Sequence, residues 1–162
     1  MRILVAAAMI AGLAGNGWAA TCPAPQNWSR PERHLAARSP AMKFALKPGG
    51  ITQIGLLPRQ DVKLASGRVS RGGYAGVAAV DVNREGVLQV ILDNKVFVDL
   101  VRDGKPLALA GEAGAHGCPG IAKALTFKVR PGRYLIELSG SPSRLVKLAT
   151  TLRYSAKAHL PR

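Results

Sequence analysis

Residues 111–127 read GEAGAHGCPGIAKALTF and gather the most chemically capable side chains of the chain. His116 stands two residues before Cys118, one of only two cysteines, and Glu112 lies four residues ahead of the histidine. Three chemistries fit these types: a metal site, a reactive thiol, or the anchor of a disulfide. In an extended segment His116 and Cys118 point to the same side, so they could chelate one ion together. A blue-copper centre, however, requires two histidines and a cysteine with a weak axial methionine. After Cys118 the next histidine is His159, and no methionine follows. Structural zinc needs two more cysteines or histidines close by, and CxxCH for haem attachment is absent. The metal alternative therefore reduces to a single transition-metal ion on His116 and Glu112, with His34 as a third ligand if folding delivers it.

The disulfide reading needs less. Cys22 and Cys118 form an even pair, and in an exported protein such a pair predicts a bridge. It would close a loop of 96 residues, worth at most about 4–5 kcal/mol in the chain-entropy model. It would also pin a stretch near the N-terminus that has no periodic apolar residues of its own. Nucleophilic catalysis finds no support: there is no G-x-S-x-G elbow, and the glycines of SGRVSRGG and DGKPL lack phosphate-loop spacing. Asp81, Asp93 and Asp99 sit at or near expected strand ends, where turn formation and solvation account for them. The stretch at 111–127 is thus expected to be a glycine-rich turn that brings Cys118 to Cys22, and no cofactor is expected.

The first residues, MRILVAAAMIAGLAGNGWAA, combine Arg2, an uncharged apolar run from Ile3 to Leu13, and Gly17 and Ala19 at the −3 and −1 positions of a cleavage site. That is the pattern of a secretory signal peptide over residues 1–19. The apolar run falls well short of the roughly 20 residues that span a bilayer, and Thr21 before Cys22 does not suit a lipoprotein site. Cleavage would leave 143 of the 162 residues, enough for one domain. The formal charge of +14 would drop to +13 with the loss of Arg2. Such an excess would suggest nucleic acid in a cytosolic protein. Export and the scatter of the cations among apolar neighbours argue instead for a basic surface facing anionic envelope material: lipopolysaccharide, acidic polysaccharide or phospholipid head groups.

The elements that must position these residues are strands. Residues 20–40 read as an irregular lead-in, with one helical turn expected near Glu32 to Ala37. From 41 to 154 the period is two. Met42, Phe44 and Leu46 alternate, as do Thr52, Ile54 and Leu56, with Val62 and Leu64 next. Then come Ala78, Val80 and Val82; Leu88, Val90 and Leu92; Leu125, Phe127 and Val129; Tyr134, Ile136 and Leu138; and Val146, Leu148, Thr150 and Leu152. Asp103-Gly104, directly after VFVDLVR, is a strong two-residue hairpin signal. Turn signals at eight-to-twelve-residue spacing predict an all-β domain of about eight to ten short strands, an antiparallel β-sandwich or jelly roll, ending in a short tail at 155–162.

The run HGCPGIAKALTFKVRPGRYLIELSGSP, together with YAGVAAVDV and VFVDLVRDGKPL, resembles a group of small exported proteobacterial proteins of unsettled function. The group shares an H-x-C-x-G-I-x-K turn, a strand, PGxY and a closing LSGS strand. Some of its members are labelled homogentisate dioxygenase. That label implies an iron held by two histidines and a carboxylate, for which His116, His34 and Glu112 are the candidates. FKVRPGRYLIELSGS is also similar, more distantly, to the closing hairpin of bacterial pre-peptidase C-terminal domains, which implies a small β-sandwich.

The leading expectation is a non-enzymatic periplasmic or secreted β-sandwich that binds an anionic envelope component or a protein partner. Arg102, Lys105, Lys123, Lys128, Arg130 and Arg133 are the candidate contacts, on strands and turns expected to be neighbours. The alternatives are a metal-dependent enzyme using His116 and an accessory module of a larger envelope assembly.

Overall fold

Period-two stretches with one apolar face cannot stand alone in water, and here the exposure is relieved by pairing two sheets face to face. The computed structural model of the chain describes residues 22, 25, 27–39, 41, 45–69, 72–114 and 118–154. The expected signal peptide, Met42, Phe44, His116, His159 and the expected tail lie outside the described residues. In chain order the strands are β1 (Glu32–Leu35), β2 (Ala45–Leu46), β3 (Ile51–Gly55), β4 (Leu57–Pro58), β5 (Tyr74–Val82) and β6 (Gly86–Leu92). Next are β7 (Phe97–Arg102), β8 (Lys105–Pro106), β9 (Gly111–Gly114), β10 (Lys123–Val129), β11 (Gly132–Ser141) and β12 (Leu145–Tyr154). The first sheet runs β1-β3-β12-β6-β10-β9; the second runs β2-β5-β11-β7-β8, with β4 also on β5. The fold is an unclosed, all-β sandwich.

The alternation read from the sequence is the core. Leu88, Val90, Leu92, Leu125, Phe127, Val129, Val146 and Leu148 from the first sheet meet Ala78, Val80, Val82, Tyr134, Ile136 and Leu138 from the second in one buried cluster. Each such aliphatic or aromatic side chain contributes about 1.5–3 kcal/mol by leaving water. The hairpin signal also corresponds to a tight turn. Asp103 and Gly104 have φ of 51° and 74°, as a type I′ turn between twisted strands requires.

Both outer faces are partly covered. On the first sheet, Ile51, Ile91, Ala124 and Ala149 are capped by Trp28, Cys118 and Ile121. On the second, Ala75 and Val77 are capped by Val62 and Leu64. The stretch at 59–69 is not a strand but a strap: a 3-10 turn, Arg59–Asp61, and then irregular chain. The N–H groups of Ala65 and Ser66 donate to the two carboxylate oxygens of buried Glu137 at 2.6 and 3.0 Å. Arg68 grips Asp99 through two nitrogens, one of them Nη2 at 2.7 Å.

Three expectations change. Glu32–Leu35 is not a helical turn but a strand parallel to β3, so the first strand lies within the expected lead-in. Helix propensity is a weak preference, and the open edge of β3 overrides it. Two pairings, β1 with β3 and β2 with β5, are parallel, so the sheets are mixed. Finally, GEAG at 111–114 is not turn but the edge strand β9, antiparallel to β10.

Candidate functional site

The two cysteines are bridged. Cys22 and Cys118 form a disulfide with their Cα atoms 5.4 Å apart, within the usual span of such bonds. Trp28 Nε1 donates to the carbonyl of Gly120 at 3.0 Å. Lys147 Nζ lies over the indole at 5.2 Å from its centre. Bridge, hydrogen bond and cation–π contact hold the chain around Trp28 and the turn after Cys118 together over the apolar half of the first sheet's outer face. Cys118 is taken up by the bridge, as the even cysteine pair implied.

Five of the six candidate contacts meet at one end of the sandwich. Val129 pairs with Gly86, Tyr154 also pairs with Gly86, and Gly132 pairs with Val82. The turns at 83–85, 130–131 and 103–104 therefore lie side by side. Arg102, Lys105, Lys128, Arg130 and Arg133 project from these turns and the strand ends that feed them. Arg84 and Arg153, which sequence reasoning did not select, join them. Lys128 and Arg153 flank Val87 on the outer face, each in register with it, which sets them about 10 Å apart at two strand spacings. Only Asp81, Glu85 and Asp103 oppose these cations locally, so the end is strongly positive. Arg133 approaches Asp81 at 3.9 Å and Arg102 approaches Asp103 at 3.5 Å, and such exposed pairs contribute little.

Buried Tyr134 organises this end. Its hydroxyl accepts from the N–H of Arg130 at 2.9 Å and donates to the carbonyl of Arg130 at 2.9 Å. It also lies 3.1 Å from Nη1 of Arg102, which donates to it. The phenol is thus fully used, in the manner of the tyrosine corner that pins strand entry in many sandwiches. The Arg102 guanidinium lies flat over Gly132, where a Cβ would stand 3.1 Å from it. A shallow hollow of about 390 Å³ opens beside it, lined by Glu85, Gly86, Val87, Lys128, Val129 and Arg130. Arg84 stacks on Tyr154 at 3.8 Å from the ring centre, and the Tyr154 hydroxyl donates to Oδ1 of Asn83 at 3.0 Å.

Lys123 is not part of this cluster. It begins β10 whereas Lys128 nears its end, about 17 Å away along the strand. The metal candidates are separated too. His34 is on β1 and Glu112 on β9, opposite edges of the first sheet with four strands between them. At about 4.8 Å per strand, one ion cannot reach both. Among the described residues, no three His, Cys, Asp or Glu side chains group as an ion would need. His34 Nε2 instead faces Glu32 Oε2 at 3.5 Å. No helix among the described residues is long and apolar enough to cross a membrane. Comparison with protein-family models, with curated proteins and with solved structures returns no match.

Proposed function

We propose that this chain is an exported binding or accessory protein of the cell envelope, whose basic end engages phosphate- or carboxylate-bearing surfaces. The observation that carries the reading is the convergence of Arg84, Lys128, Arg130, Arg133 and Arg153 from separate strands and turns onto one end of the sandwich. A disulfide and a leader-like N-terminus support an oxidising compartment. The resemblance to small exported proteobacterial proteins supports the same setting. The cations sit on short turns and strand ends, with Arg102 and Arg130 tied to Tyr134, so their joint use needs no further ordering of the backbone. Attraction of this kind acts over about a Debye length, 8–10 Å at physiological salt, and weakens as salt rises.

The test is co-sedimentation with vesicles containing phosphatidylglycerol, compared with vesicles of phosphatidylcholine alone, across a salt series. Binding to the anionic vesicles only, falling steeply with salt, is expected. A Lys128→Glu/Arg130→Glu double variant should bind at least about tenfold more weakly, each basic residue near an anionic surface being worth about 1 kcal/mol. Equal binding to both vesicle types, or indifference to salt and to the charge reversals, overturns the reading.

A further inference from the structure

Among the described residues the sandwich is open along one side, between β9 and β7. β9 is the last strand of the first sheet, and its outer edge pairs with no other strand among the described residues. In the second sheet β8 pairs with Val101 and Arg102 of β7, and among the described residues no strand pairs with the outer edge of Phe97–Asp99. Between these edges lies a cleft of about 300 Å³. Its floor is apolar: Leu125 and Phe127 are buried core residues, and Leu107 packs against the same core. Its rim carries Phe97 and Leu109, 56% and 47% exposed. Large apolar side chains left half in water on both lips of a cleft with an apolar floor provide a ready seat for an apolar group.

The charges in the cleft are of two kinds. Arg68 and Asp99 neutralise each other through two hydrogen bonds, and the Arg68 guanidinium lies 5.3 Å from the centre of the Phe97 ring. That pair forms a wall. Lys123 and Glu112 are different. Glu112 is in register with Leu125, and Lys123 lies two residues before Leu125, so both share the face of the sheet that carries the floor residue. They line the same cleft, yet no ion pair within 4.0 Å joins either of them to a described residue. Burial pushes the Lys123 ammonium below the ordinary lysine value, Glu112 draws it back up, and the nearby Arg68 charge lowers it further. The ammonium has therefore lost water without gaining a direct carboxylate partner, and the carboxylate opposite is equally uncommitted.

We propose that this cleft binds a small zwitterion with an apolar side chain, in the class of free aliphatic or aromatic α-amino acids. Its carboxylate sits on Lys123, its ammonium on Glu112, and its side chain on Leu125, Phe127 and Leu107. A simple anion would satisfy Lys123 but press its charge toward Glu112. A simple cation would do the reverse. Only a ligand with both charges about one carbon apart gives the desolvated Lys123 ammonium a carboxylate and Glu112 a cation at once.

The experiment is isothermal titration of the full oxidised protein with L-leucine and L-phenylalanine. In parallel it is titrated with 4-methylpentanoate, which lacks the ammonium of leucine, and isoamylamine, which lacks the carboxylate. Saturable binding of an amino acid is expected, weakened at least about tenfold in either leucine analogue and in Lys123→Met and Glu112→Gln, since a charge-assisted hydrogen bond is worth about 1.5–3 kcal/mol. Thermal melting confirms that each variant folds, and Lys63→Ala, at an exposed position outside both candidate sites, should bind as the wild type does. Binding of 4-methylpentanoate as tight as leucine, or a Glu112→Gln variant with unchanged affinity, overturns the zwitterion assignment. So does the absence of heat and of chemical-shift change with either amino acid at millimolar concentration.

Discussion

Tyr134 shows how one side chain can hold a functional end in place. Its ring belongs to the core, but its hydroxyl links the Arg130 turn to the Arg102 guanidinium. Removing the oxygen leaves the ring packing untouched and strands a buried backbone donor and acceptor. Tyr134→Phe is therefore expected to cost about 1–3 kcal/mol, read as a lower denaturant midpoint at unchanged m-value. An unchanged midpoint would mean that water replaces the hydroxyl and that the corner does not fix the turn. The inward direction of Tyr134 was legible from its alternation with Ile136 and Leu138. Its bonding was not, because the partner is the backbone four residues upstream, and which atoms meet there depends on the geometry of the Arg130-Pro131-Gly132 turn. The basic contacts divide in the same way. Arg102, Lys105, Lys128, Arg130 and Arg133 could be selected as exposed cations near turns, whereas Arg84 and Arg153 join them through strand register alone. Lys123 shares their type and separates from them by its position along β10.

At the level of elements, strands with two distinct faces announced themselves and elements held by their neighbours did not. β5, β6, β10, β11 and β12 alternate because one face is core. β1 and β9 are short edge strands without an apolar rhythm, formed because β3 and β10 offer open edges. The straps over the outer faces have no period at all; they are held by Glu137 and Asp99 on one sheet, and by the disulfide and Trp28 on the other. The strap at Trp28 covers Ile51, Ile91, Ala124 and Ala149, so breaking its anchor should do more than lengthen a loop. A Cys22→Ala/Cys118→Ala variant is expected to lose about 2–5 kcal/mol and to bind a hydrophobic dye on the uncovered face in the native baseline. Full stability without the bridge would show that Trp28 alone secures the strap.

Over the whole molecule the two candidate sites differ in place and chemistry: the cleft lies between the two sheets, from Lys123 to Phe127 along β10, and the basic end begins at Lys128 on the strand ends and turns beyond. The basic end offers a diffuse field of cations to a large charged surface, while the open side offers a closed set of two charges over an apolar floor to a small molecule. One end can therefore lie against an envelope surface while the cleft stays open to solvent. Such a division of labour has meaning only if the protein reaches the envelope with its bridge formed, and under this proposal that step falls to residues 1–19. Residues 1–19 carry Arg2 and the uncharged run from Ile3 to Leu13, which would burden a folded product if retained. The intact mass of protein recovered from the periplasm or medium after expression in a Gram-negative host should match residues 20–162 less two hydrogens, unchanged by an alkylating agent. Recovery from the cytoplasm alone, with residues 1–19 retained, would remove export from the proposal, and alkylation at both cysteines would remove the oxidising compartment. Without the bridge the strap would be left to Trp28, and without export the excess of cations would need an intracellular polyanion to explain it.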